Sequence, residues 1–505
     1  MSTFLGFDVG TQSVKALLLD DARGVLGTAA DPLTTIAGLP PGHSEQDPAT
    51  WIAAMVGAAR RLAEADPVAF AAVAAIGVSG QQHGLVPLDA DRRVIRPAKL
   101  WNDVSSAAQC AAIEREVGGA GALMALTGNR LPPGFTAGKI RWLREMEPAN
   151  FARLRHVLLP HDYANLWLTG ELRGEAGDAS GTGLFDVRRR RFVAAVLDAT
   201  APGLADMLPP LVEAGQPVGT LRAAVAAELG LGPGILVAHG GGDNMMAAIG
   251  AGAVEPGIAV VSLGTSGTVF ACAEQPVCDP AGEIAAFCDS TGRWLPLGCT
   301  MNATVSTELT RSLLGQSLTA METEAAAAPP GAGGVLCLPF FTGERTPNLP
   351  QATGGLLGLT PGNMTRGHVA RAAMEGATFA LTGLLRRLGE LGLPLRELRL
   401  TGGGSNSDLW CRIVAAAGGH EVRTGVHPDA AALGAAVQAC WTWRRQERPS
   451  TTVADVLREV PVLAEGSRIA PDREWQAVYA ERQAAYAVAV SALGPHFAAL
   501  RGGEP

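Results

Sequence analysis

One short pattern occurs twice in this chain, about half a chain apart. Gly6-Phe7-Asp8-Val9-Gly10-Thr11-Gln12-Ser13-Val14-Lys15 resembles Val260-Val261-Ser262-Leu263-Gly264-Thr265-Ser266-Gly267-Thr268-Val269. Each copy reads as an apolar strand, a Gly-Thr turn with small polar residues, and a second apolar strand. A repeat of this kind implies one structural unit used twice, so the chain is expected to build two large domains. Its 505 residues agree, because single cores stop growing at roughly 250–300 residues. Apolar runs at 5–9, 75–78, 234–238, 258–263 and 398–401 read as buried strands, and 48–65, 244–250, 368–389 and 407–417 as helices. A last helical stretch is read at 473–493. The alternation is that of an α/β protein with largely parallel sheets. The glycine-rich stretch 240–252 reads as the boundary between the halves and a candidate hinge, giving domains 1–245 and 246–505.

The two Gly-Thr tips would let backbone N–H groups and hydroxyls approach a phosphate without an intervening side chain, although ordinary hairpin turns use the same residues. Asp8 tips the reading of the first towards a ligand. An aspartate inside an apolar strand is costly to bury unless it is paired, hydrogen-bonded or serving a metal, and beside a phosphate loop Mg²⁺ is the natural partner. A Walker loop is absent, since the single Gly-Lys pair, Gly138-Lys139, is followed by Ile140. Thr401-Gly402-Gly403-Gly404-Ser405-Asn406 ends a strand and opens a helix, a place where N–H groups receive nucleotides or simply make a turn. Ala238-His239-Gly240-Gly241-Gly242-Asp243-Asn244 leads a buried strand to an aspartate at a helix start. Asp243 is read either as a helix N-cap or as a general base held beside bare backbone.

Composition removes other classes. The net charge of −8 disfavours a general nucleic-acid binder, which needs clustered cations, and the one basic run, 188–191, is read as surface with no role. The eight cysteines form no Cys-x-x-Cys pair, so neither a zinc site nor a disulfide framework is expected. No stretch stays apolar for the ~18 residues a membrane span needs. No membrane partner and a cytoplasmic location are expected, and a homodimer is left open.

These clusters, in this order, resemble the FGGY family of carbohydrate kinases, closest to its xylulose-phosphorylating members. The resemblance runs from Phe4 to about Trp441 and includes Ser44-Glu45-Gln46-Asp47-Pro48, Gly80-Gln81-Gln82-His83-Gly84, Leu100-Trp101-Asn102-Asp103 and Phe341-Thr342-Gly343-Glu344-Arg345-Thr346-Pro347. It implies two actin-like ATPase (ribonuclease H-like) domains with a cleft between them, and ATP-dependent phosphorylation of D-xylulose with Mg²⁺. Carried over by position, it makes Asp243 the catalytic base and Asp8 the metal site. Gln82, His83, Asn102, Asp103 and Asn244 would join Asp243 around the sugar, and Thr11, Gly264, Thr265, Gly403, Gly404 and Asn406 would line the ATP site. Taken singly, His83 also reads as a turn residue, and Asn102 and Asp103 as loop-holding residues. Another ketose or polyol (ribulose, L-xylulose, glycerol) and a non-catalytic sugar and nucleotide sensor are the alternatives.

Overall fold

The structure is a computed structural model and describes residues 2–501; Met1 and 502–505, placed by the sequence in the two end domains, lie outside the described residues. It divides into two compact units. The first gathers 1–254, 272–296 and 429–462; the second gathers 255–271, 297–428 and 463–505. The first unit therefore also draws in two segments from beyond residue 245.

The first unit is built on a seven-stranded sheet. Strands β1 (Thr3–Val9), β2 (Ser13–Asp20) and β3 (Gly24–Pro32) form an antiparallel meander. Helix α1 (Pro48–Ala65) follows, opened by Asp47, which accepts the N–H of Ala49, and by proline at the first position. Strand β4 (Val73–Gly80) then returns parallel to β1. Strands β5 (Pro217–Thr220) and β6 (Leu236–Ala238) complete the order β5-β6-β4-β1-β2-β3, and the two-residue strand Gly241–Gly242 adds parallel to the end of β4. Both faces of β1 are buried, which explains its nearly continuous apolar run.

Helix α2 (Asp243–Gly250) starts directly from Gly241–Gly242 and lies inside the first unit. The chain leaves the first unit after Val254, just past the 240–252 stretch read as the boundary. Glycines in that stretch allow close packing, since a Cβ at Gly240 would overlap the Val78 carbonyl and one at Gly250 the Ala430 carbonyl.

The second unit repeats the plan. Strands β7 (Ile258–Leu263), β8 (Gly267–Ala271) and β9 (Leu297–Thr300) form a meander, and helix α3 (Arg366–Glu390) leads to β10 (Glu397–Thr401), which runs parallel to β7. Helix α4 (Asp408–Gly418) and β11 (Glu421–Thr424) finish the order β9-β8-β7-β10-β11. The sequence repeat thus occupies equivalent central hairpins, with Asp8 paired to Lys15 in one and Ser262 to Thr268 in the other.

Two long helices, with shorter ones between and after them, close the chain. Helix α5 (Ala430–Glu447) belongs to the first unit and packs on β1, β4 and α2. A Cβ at Gly434 would overlap the Met246 carbonyl of α2, and one at Gly6 the Ala432 carbonyl, so both contacts depend on glycine. Helix α6 (Arg473–Leu493) belongs to the second unit, where Tyr479 meets the buried Arg371–Glu375 pair of α3.

Candidate active site

In the first unit the ends of three parallel strands bring the chemistry together. Asp8 pairs in register with Ser79 of β4, and Ser79 with Gly241, two residues before Asp243. The Ser79 hydroxyl donates to Asp8 Oδ1 at 2.7 Å. Lys15, opposite Asp8 on β2, forms an ion pair with Asp429, the residue that precedes α5. Burial raises the Asp8 carboxyl above its ordinary range; Ser79 and Lys15 oppose this and Asp429 adds to it.

Asp243 is the first helical residue of α2, and Gly242 occupies the N-cap position, so the N-cap reading does not hold. Asp243 Oδ1 accepts the Asn244 N–H at 2.8 Å and its side-chain amide at 2.9 Å. Burial, and next the Asp8 carboxylate, push Asp243 up to about 7. Asn244 Nδ2 also donates to Gln82 Oε1 at 2.8 Å, linking Gln82 to the aspartate. His83 follows with a left-handed backbone, φ 63°, its ring stacked on Phe135 at 4.6 Å.

Two carboxylates, Asp8 and Asp429, thus share the ammonium of Lys15, while Asp8 in turn faces Asp243. Asp429 raises the affinity of Asp8 for a proton and Asp8 that of Asp243, the electrostatic condition in which an oxygen-preferring divalent cation is held. The donor set fits Mg²⁺.

The first Gly-Thr tip is fixed from all sides. Thr11 Oγ1 donates to Gln81 Oε1 and accepts from Trp101 Nε1, while the Thr11 carbonyl accepts from Gln46 Nε2. The hydroxyl is fully engaged within the protein. Asp103 is 0 % exposed and accepts from Ser44 N, Ser105 N, Ser105 Oγ and Lys99 Nζ. With both oxygens taken it holds its loop, and neighbouring Asn102 is exposed. His43, Glu45 and Asp103 cluster closely enough for a metal, but Lys99 Nζ sits among them, 3.2 Å from Glu45 and 3.0 Å from Asp103, so the charge is already balanced.

In the second unit, Gly264 and Thr265 form the tip between β7 and β8, and their carbonyls accept the N–H groups of Thr304 and Ala303. Gly402 lies against this tip with φ 80°, where a Cβ would overlap the Leu263 main chain and Gly264 N. A short 3₁₀ turn, Gly403–Asn406, follows; Gly404 is buried against Leu263 and Trp410, and Gly403 and Asn406 are exposed. Both glycine loops therefore meet at one edge, outside the carboxyl ends of parallel strands, where α/β sheets bind ligands.

Models of the N-terminal and C-terminal domains of the FGGY family of carbohydrate kinases match residues 3–250 and 259–443. The chain belongs to this family. It is similar to the xylulose kinase of Haemophilus influenzae, 41% identical over 448 residues that cover 87% of this chain and 90% of that one. The xylulose kinase of Escherichia coli is 35% identical over 487 residues, covering 95% and 97%. Among solved structures, the Brucella ovis xyloylose kinase superposes with a TM-score of 0.89 at 36% identity, over 98% of this chain and 99% of that one. The two like units are accordingly the actin-like pair of an FGGY kinase.

Several contributors to this kinase site escaped the sequence reading. Ser79, Lys15 and Asp429 surround Asp8, and Gln438 of α5 grips Gly240, accepting its N–H at 2.8 Å and donating to its carbonyl at 3.1 Å. Lysine itself was the available signal. The chain has three lysines, Lys15, Lys99 and Lys139, and all lie in the first unit with acidic or carbonyl partners in or near the site. The basic run does what was expected of it: Arg188 and Arg189 pair with Asp186, and Arg190 stacks on Trp294. No helix among the described residues is long and apolar enough to cross a membrane, and no disulfide joins the cysteines among the described residues.

Proposed function

We propose that this ATP-dependent sugar kinase acts on D-xylulose, moving the γ-phosphoryl group of ATP to O5 and releasing D-xylulose 5-phosphate and ADP. The observation that carries the reading is Asp243, a carboxylate held at a helix start and tuned by burial and Asp8 to about 7, where a general base works best near neutral pH. The names of the relatives supply the sugar.

Asp243 takes the proton of the sugar hydroxyl as its oxygen attacks the γ-phosphorus and the bond to the ADP oxygen breaks. Gln82 orients Asn244 and, through it, the aspartate, while His83, Asn244 and Asn102 meet the sugar. Backbone N–H groups at Gly264, Thr265, Gly403 and Gly404, with Asn406, receive the nucleotide, and Thr11 shapes the first phosphate loop. Asp8 would hold Mg²⁺, which when bound with ATP supplies positive charge for the phosphate oxygens. Because phosphoryl transfer has a loose transition state, positioning and charge account for most of the catalysis. A reaction that consumes ATP belongs in the cytoplasm, where ATP is supplied.

The test is ADP release from MgATP with D-xylulose, L-xylulose, D-ribulose, L-ribulose, glycerol or no sugar. Strong stimulation by D-xylulose supports the reading. Stimulation by another member alone replaces the sugar, and silence across the panel favours a sensor.

A further inference from the structure

His83 has a positive φ of 63°, uncommon for a residue other than glycine, so its surroundings are expected to hold it there. The surroundings supply restraints on every part of it. Its main-chain N–H lies close enough to the Asp178 carboxylate to favour that carboxylate's charged form. Its carbonyl accepts from Lys139 Nζ at 2.7 Å and Thr136 Oγ1 at 3.2 Å. Its ring lies on Phe135 and, at 5.7 Å, on Phe287. The remaining side is closed by Gly181, where a Cβ would overlap ring atoms Cε1 and Nδ1.

Asp178 and Gly181 are therefore two parts of one short segment, 178–181, that receives His83. Asp178 is itself immobilised: fully buried, it faces His161 Nδ1 at 3.1 Å, and His161 Nε2 lies 2.9 Å from Asp162 Oδ1. Burial disfavours charge on His161, but the two aspartates outweigh it and hold the imidazole well above its ordinary range; burial likewise raises the Asp178 carboxyl, and His161 opposes that rise.

We propose that Asp178 and Gly181 form the seat of His83, Asp178 anchoring its backbone N–H and Gly181 leaving the volume its imidazole fills, so that both set sugar affinity without touching the sugar. The proposal rests on His83 contacting the sugar. Asp178 and Gly181 are positioning residues, and a methyl group at 181 acts by displacing the ring.

The experiment is a double-mutant cycle on initial rates against D-xylulose and against ATP, with the wild type, His83→Ala, Gly181→Ala and the double variant. Gly181→Ala is expected to raise KM for D-xylulose about tenfold with KM for ATP changed less than about twofold. In the His83→Ala background, where the ring is gone, Gly181→Ala should change KM for the sugar by less than about twofold. An equal effect of Gly181→Ala in both backgrounds, or none in either while His83→Ala weakens sugar binding, overturns the seat. An unchanged KM in His83→Ala overturns the sugar-contact reading instead. Should Gly181→Ala fail to fold, the same cycle with Asp178→Asn decides: an effect on sugar KM that vanishes without His83 supports the seat, and an additive one refutes it.

Discussion

Replacing Asp243 by asparagine should stabilise the ligand-free protein at alkaline pH while destroying its activity. Asp243 rises from 3.8 to about 7 on folding, so the folded protein binds its proton more tightly than the unfolded chain. Stability from this group is fully present below about pH 4 and is lost as pH rises towards 7; across the whole shift the loss is about 4 kcal/mol at most. Between pH 5 and pH 8 the linked loss is about 2.5 kcal/mol, which water reaching this partly exposed carboxylate reduces to about 1 kcal/mol. Asparagine keeps the acceptor for the Asn244 N–H and removes the charge facing Asp8. Thermal melts of both proteins at pH 5 and pH 8 measure the difference, which corresponds to a shift of about 2–4 °C in favour of the variant that is larger at pH 8. Mg²⁺ should stabilise the wild type more than the variant, because it neutralises the same excess of carboxylates. Equal shifts at both pH values, or a less stable variant at pH 8, would refute the charge argument, and near-normal turnover would refute the base.

The kcat/KM for D-xylulose should fall about tenfold per unit of pH below a midpoint at or under about 7, since the protonated aspartate cannot accept the hydroxyl proton and bound Mg²⁺ lowers its pKa; a flat profile from pH 5 to 8 would contradict this. Lys99→Met should destabilise the first unit by about 3–5 kcal/mol in chemical denaturation, because it strands the buried Asp103 carboxylate, whereas Glu45 keeps Arg96. Tyr479→Phe should cost about 1–2 kcal/mol, as its hydroxyl bridges Arg371 and Glu375 in the interior of the second unit. An unchanged melt for Tyr479→Phe would mean that α6 contributes little to that unit.

The parts of the fold legible in the sequence came from short-range pattern. The repeated hairpin announced two like sheets, Asp47-Pro48 placed the start of α1, and 473–493 proved to be a single helix, because strand alternation, caps and helix periodicity are written in neighbouring residues. Asp8 and Asp243 were legible for a related reason: each is a charge beside glycine at the end of an apolar run, and such a charge demands an explanation. Tertiary structure alone decided the rest. It packed α2 within the first unit, since only the fold could show Gly434 meeting Met246 from nearly two hundred residues away. It surrounded Asp103 with Lys99, Ser44 and Ser105, and it brought Lys15, Asp429 and Gln438 to the site. A residue's type and neighbours state which interactions it needs; which distant group satisfies them depends on how the chain closes on itself, and that is set by packing over the whole unit.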